Sequence, residues 1–118
     1  MPERYYTKRL LLDDAGSHYA SFIFIDTSPC IKAYRTHDST GWDPCGGAYP
    51  TCSPSTATCH FHENILSQSC TDQADWFKSA LAAVPADDWL IVVGHHPADE
   101  IDDQDLTSMM QEHGFDLY

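Results

Sequence analysis

The sequence predicts an α/β fold with a parallel sheet and helices packed outside it, and three observations predict it. Residues 88–98 read Asp-Trp-Leu-Ile-Val-Val-Gly-His-His-Pro-Ala, and the unbroken apolar run from Trp89 to Val93 has the pattern of a strand buried on both faces. A helical periodicity follows, and Phe115 to Tyr118 reads as the start of another strand, so the stretch from Trp89 to Tyr118 makes a βαβ unit. Nearer the N-terminus, two strand-like runs lie on either side of a short turn, which predicts a hairpin.

Taken in order, Tyr5 to Leu12 reads as the first strand, Asp13-Asp14-Ala15-Gly16 as the turn and Tyr19 to Asp26 as the second strand. Residues 29–70 then change character: Pro, Gly, Ser, Thr and Cys dominate, with hardly any apolar periodicity. A loop of that length is uncommon in a compact domain unless it is functional, cross-linked or disordered. Regularity returns at Thr71, which is placed to cap a helix, with Asp72 and Asp75 complementing the positive helix end. Trp76, Phe77, Ala80, Leu81 and Val84 recur at helical spacing as a core stripe, and Pro85 closes the helix. The next helix covers Gln104 to His113, with Leu106, Met109, Met110 and His113 on one face and Gly114 in the C-terminal cap position.

All five cysteines, at 30, 45, 52, 59 and 70, fall within the irregular stretch. One reading is a metal loop built from Cys45, Cys52, Cys59, His60 and His62. The Cys-x6-Cys-x6-Cys spacing misses the short spacers of zinc knuckles and fingers, and disulfides in an oxidising compartment explain the same clustering. Spacing favours disulfides without choosing their pairing, and it points to a secreted protein or one of the endomembrane or lysosomal lumen.

At 118 residues and 42% apolar, the chain is long enough for one domain's core. Its net charge is −12, with six Lys and Arg and none beyond Lys78. Nucleic acid and anionic membrane surfaces require a basic face, so both are excluded as partners. A polyanionic substrate would need bound cations to offset the chain's own field. No apolar stretch approaches the roughly 20 residues of a membrane helix, and Met1-Pro2-Glu3-Arg4 runs into the first strand with no signal-peptide pattern. The acidic run Asp99, Glu100, Asp102, Asp103 and Asp105 reads as a solvated helix N-terminus; it lacks the glycine a calcium loop requires.

The candidate site is Gly94-His95-His96-Pro97, delivered to the C-terminal end of the apolar strand. Ligands and metals sit at that end in open α/β sheets. Gly94 permits close backbone approach, and His95 is placed where a metal could bind. The plainer alternative is that one histidine caps the strand and the other is solvated.

Taken together, these segments resemble the calcineurin-like metallophosphoesterases, and within them the purple acid phosphatases of the small, tartrate-resistant type. The residues carrying the resemblance are Tyr5-Tyr6 in an early strand, Phe22-Ile23-Phe24-Ile25-Asp26-Thr27, the helix with Gln73-x-x-Trp76, and Gly94-His95-x-Pro97, in family order. The resemblance implies that residues 1–118 form part of a four-layer αββα sandwich, with Trp89 to Val93 as a central strand and a cysteine-rich insertion at about 29–70. It also implies hydrolysis of phosphomonoesters at a dinuclear metal centre, Fe with Fe, Zn or Mn. His95 would be a metal ligand there, and His96 would line the rim of the site or pack behind the loop. The family's Asp-x-His, Gly-Asp-x-x-Tyr, Gly-Asn-His and Gly-His-x-His motifs do not occur in the chain. A middle fragment is therefore expected, inactive alone and completed by the remainder of the same domain or a larger assembly. Where some relatives carry a further histidine against the phosphate, this chain has Ala98, Asp99 and Glu100. That departure raises a second expectation, a degenerate phosphoesterase fold used for binding or scaffolding.

Overall fold

The computed structural model describes residues 3–35 and 60–118, with the backbone alone at position 62. Strand β1 (Tyr6–Leu11) pairs antiparallel with β2 (Tyr19–Phe24), from Tyr6 opposite Phe24 to Leu11 opposite Tyr19. The hairpin turn depends on Gly16, whose φ of 73° is costly for any residue with a Cβ. Asp13 secures the turn, its carboxylate accepting the Ser17 N–H at 2.9 Å and the Ser17 hydroxyl at 2.7 Å.

Strand β3 (Trp89–Val93) joins β2 in parallel register, from Ala20 opposite Trp89 to Phe24 opposite Val93. On its other side β3 meets Leu117 in a single parallel bridge at Ile91, with the Val92 N–H donating to the Leu117 carbonyl at 2.9 Å. The result is a small mixed α/β unit with a sheet in the order β1-β2-β3.

Helix α1 is Lys32–Arg35, α2 is Phe61–Leu66, α3 is Cys70–Ala82 and α4 is Leu106–His113; short 3-10 turns occupy Ser28–Cys30 and Ala98–Glu100. Both described ends of the stretch expected to be irregular are thus helical. Helix α3 is capped by Ser69 and not by Thr71: Ser69 has the extended backbone a cap needs, and its hydroxyl accepts the Asp72 N–H at 3.1 Å. Asp105 caps α4 through the Ser108 N–H at 2.9 Å, and Gly114, with φ of 84°, ends it.

The core joins one face of the sheet to the helices. Ile23, Ile25, Leu90 and Val92 pack with Ala74, Phe77 and Leu81 of α3 and with Leu106 and Met110 of α4. The expectation that β3 is buried on both faces is corrected. Leu90 and Val92 are buried, but Trp89 and Val93 on the opposite face are 57% and 37% exposed. The reason is one-sided packing: the described helices cover one face, and the other carries Leu10, Phe22, Phe24, Ile91 and Leu117 without a covering layer among the described residues.

Two cross-links hold the unit. Cys30 and Cys70, both buried, form a disulfide across a sequence separation of 40. Arg9 of β1 forks onto Asp88 at 2.7 and 2.8 Å, and Ser21 of β2 donates to the same carboxylate at 2.7 Å, tying β1 and β2 to the start of β3. The Arg9 guanidinium, helped by Ser21 and opposed by desolvation, holds the Asp88 carboxyl below the usual carboxylate range.

Candidate functional site

Parallel pairing carries β2 and β3 out of the sheet side by side. The last ladder bond runs from the Ile25 N–H to the Val93 carbonyl at 2.9 Å, so Asp26-Thr27 and Gly94-His95-His96 leave the sheet together. A Cβ on Gly94 would lie 2.6 Å from the Tyr118 hydroxyl and 2.9 Å from the Thr27 methyl. Only glycine fits this junction.

His95 is exposed, and its ring makes no hydrogen bond among the described residues. It stands edge-to-face on His96, with centroids 4.7 Å apart and planes at 84°. His96 is only 7% exposed. Its Nδ1 lies 2.6 Å from the Thr27 hydroxyl and its Nε2 lies 3.2 Å from the Tyr34 hydroxyl. The Tyr118 hydroxyl donates to the His96 carbonyl at 2.6 Å. Both ring nitrogens of this buried side chain are therefore engaged by hydroxyls. Burial pushes its pKa down and the neighbouring His95 adds to that, while Glu100 and Asp26 pull the other way. The Tyr34 and Tyr118 phenols are both pushed up by burial.

Gln73 locks α3 to the same end of the sheet. Its side-chain amide donates to the Asp26 carbonyl and accepts from the Asp26 N–H, each at 2.8 Å. Gln73 is 1% exposed, so this pairing satisfies a polar group that burial would otherwise penalise. One turn on, Trp76 packs on Tyr5 with centroids 4.7 Å apart. The segments that carry the family resemblance therefore meet in space.

Comparison with protein-family models, curated proteins and solved structures finds no match. The motif residues and their geometry carry the functional reading.

Other expected residues fall elsewhere. Cys45, Cys52 and Cys59 lie outside the described residues. His60 pairs with Glu63 at 2.7 Å on the surface. In the acidic run, Asp105 caps α4, and the Asp102 carboxylate accepts the Lys32 N–H of α1 at 2.7 Å, so two of the carboxylates serve helix ends. Among the described residues no three His, Cys, Asp or Glu side chains converge to hold a metal, and no helix is long and apolar enough to cross a membrane. A cleft of about 440 Å³ between α3 and α4, lined by Lys78, Met109, Glu112 and His113, is separate from the two adjacent histidines.

Thr27 and Gln73 enter the sequence reading only as motif residues that carry the resemblance, and Tyr34 and Tyr118 not as site residues at all. The Gln-x-x-Trp spacing was the signal for Gln73. Tyr34 left none, because it sits in a segment without periodicity.

Proposed function

We propose that the chain forms part of a metal-dependent phosphomonoesterase of the acid phosphatase type, in which His95 supplies one ligand to a metal centre. The observation that supports this reading is the meeting of Asp26-Thr27, Gln73 and Gly94-His95 at one end of the sheet, with an exposed imidazole at the point where strands β2 and β3 end. The apolar sheet face bearing Phe22, Phe24, Trp89 and Ile91 supports the αββα sandwich, because a second sheet laid on it would remove that surface from water. One exposed histidine is short of the donor set that a dinuclear centre requires, so the described residues do not fit such a centre by themselves. The remaining ligands belong to residues outside them, and His95 contributes a neutral imidazole nitrogen.

A second reading, a binding or scaffolding protein on the same fold, is favoured by Asp99 and Glu100. Both are exposed, and the Glu100 charge reaches His96. Carboxylates at that place repel a phosphate dianion unless cations offset them.

The test is His95→Ala in the full-length protein. It should lower bound metal, measured by inductively coupled plasma mass spectrometry, and cut hydrolysis of p-nitrophenyl phosphate roughly a hundredfold or more, because a lost ligand disturbs charge, geometry and bound water together. The 118-residue chain alone should hydrolyse that ester no faster than buffer. A folded, metal-free and inactive full-length protein would favour the scaffolding reading.

A further inference from the structure

The buried ring behind His95 has its proton position fixed by donor counting. The Thr27 hydroxyl accepts the His96 backbone N–H at 3.2 Å, and Thr27 is fully buried. Among the described residues the Thr27 hydroxyl has no hydrogen-bond partner other than His96. The acceptor for its single proton is then His96 Nδ1, at 2.6 Å. A neutral imidazole that accepts at Nδ1 carries its hydrogen on Nε2, and the Tyr34 oxygen lies 3.2 Å from that nitrogen. The ring is 7% exposed and has a hydroxyl within hydrogen-bond distance of each nitrogen.

Tyr34 is itself held by the base of the insertion. It lies in α1, four residues beyond the bridged Cys30, with the Phe61 ring of α2 edge-on at 5.4 Å. Arg35, its neighbour, donates to the carbonyls of Pro29, Ile65 and Gln68 at 3.2, 3.4 and 3.1 Å, tying α1 to α2. The insertion base is thereby coupled to a ring on which the exposed His95 rests edge-to-face.

We propose that His96 is a positioning residue for His95, locked as the Nε2–H tautomer by Thr27 and Tyr34, so that the disulfide-closed base of the insertion sets the orientation of the exposed imidazole. Only the consequence for metal binding rests on His95 being a ligand. The tautomer and the ring orientation do not.

Two-bond 1H–15N spectra of the histidine-labelled chain test this directly. His96 should show an unprotonated Nδ1 and a protonated, slowly exchanging Nε2. Tyr34→Phe should speed exchange of that proton and shift the His95 ring resonances while leaving the thermal midpoint nearly unchanged. Thr27→Val should mix the two tautomers and shift His95, whereas Thr27→Ser, which keeps the hydroxyl, should preserve both signatures. In the full-length protein, Tyr34→Phe and Thr27→Val should weaken Zn2+ binding roughly 10- to 100-fold, with Thr27→Ser close to wild type. A protonated Nδ1 in the wild type overturns the proposal, as do unchanged His95 resonances in Tyr34→Phe. Should Thr27→Val not fold, the Tyr34→Phe and Thr27→Ser spectra decide. Failure of the full-length protein to bind metal would instead remove the ligand role of His95, and the spectra of the chain would still report on the tautomer.

Discussion

At the scale of single residues, the end of β3 is built around the absence of a side chain at Gly94. The Tyr118 hydroxyl and the Thr27 methyl occupy the volume a Cβ would need. Tyr118 can swing its hydroxyl away, but Thr27 is fully buried and has nowhere to go. Gly94→Ala should therefore cost roughly 1 to 3 kcal/mol, the range for overpacking a filled site, read as a lower urea midpoint with an unchanged slope. It should also disturb the Tyr118 bond to the His96 carbonyl. A stability equal to wild type would mean that the junction has slack the packing does not suggest.

At the scale of elements, the hairpin, β3 and the two longer helices were legible in the sequence: the strands as apolar runs bounded by turn residues, the helices by their period. The stripe Ala74, Phe77, Leu81 announces what α3 packs on. The burial of β3 was not legible, because Trp-Leu-Ile-Val-Val reads the same whether one face or both are covered. Helices α1 and α2, of four and six residues, are too short to show a period. The α3 cap was missed by two positions because Ser69 and Thr71 are both competent, and backbone conformation decides between them. Of the candidate site, the position of His95 just beyond the end of β3 was legible from the apolar run and the glycine. The Thr27–His96–Tyr34 set was not, because it links three segments by hydrogen bonds that no local spacing encodes.

The disulfide acts at the same scale, joining the 3-10 turn before α1 to the first residue of α3. Closing a loop of 40 residues stabilises the folded state by about 4 kcal/mol in the chain-entropy account. Replacing both Cys30 and Cys70 by Ala should lower the unfolding free energy by roughly 2 to 4 kcal/mol in denaturant titrations. An unchanged midpoint would show that the bridge adds nothing to the stability of the folded chain.

At the scale of the whole molecule, acid should loosen the unit through three hydrogen-bonded carboxylates. Asp13 is held below the usual carboxylate range by the Ser17 hydroxyl and N–H, Asp88 by the Arg9 guanidinium and Asp105 by the Ser108 N–H and hydroxyl. A carboxylate with a depressed folded-state pKa contributes stability above its unfolded pKa and loses it as pH falls through the folded value. The contribution of these three should be level from neutral pH down to about 4 and decline below it. Urea midpoints measured from pH 7 to pH 2.5 should show that decline, and Asp88→Asn should make it shallower. A profile that stays flat below pH 4 would leave these bonds without energetic weight.

The sheet face that carries no covering layer among the described residues also bears on how separate molecules behave toward one another. Trp89, Val93, Leu10 and Leu117 present apolar surface to solvent on a particle of net charge −12. Hydrophobic attraction draws two such faces together, and mutual electrostatic repulsion keeps the particles apart. The range of that repulsion shrinks from about 30 Å at 10 mM salt to about 8 Å at 150 mM. Light scattering of the isolated chain should accordingly report dispersed particles in dilute buffer and growing clusters as sodium chloride is added, the reverse of a protein held together by ion pairs.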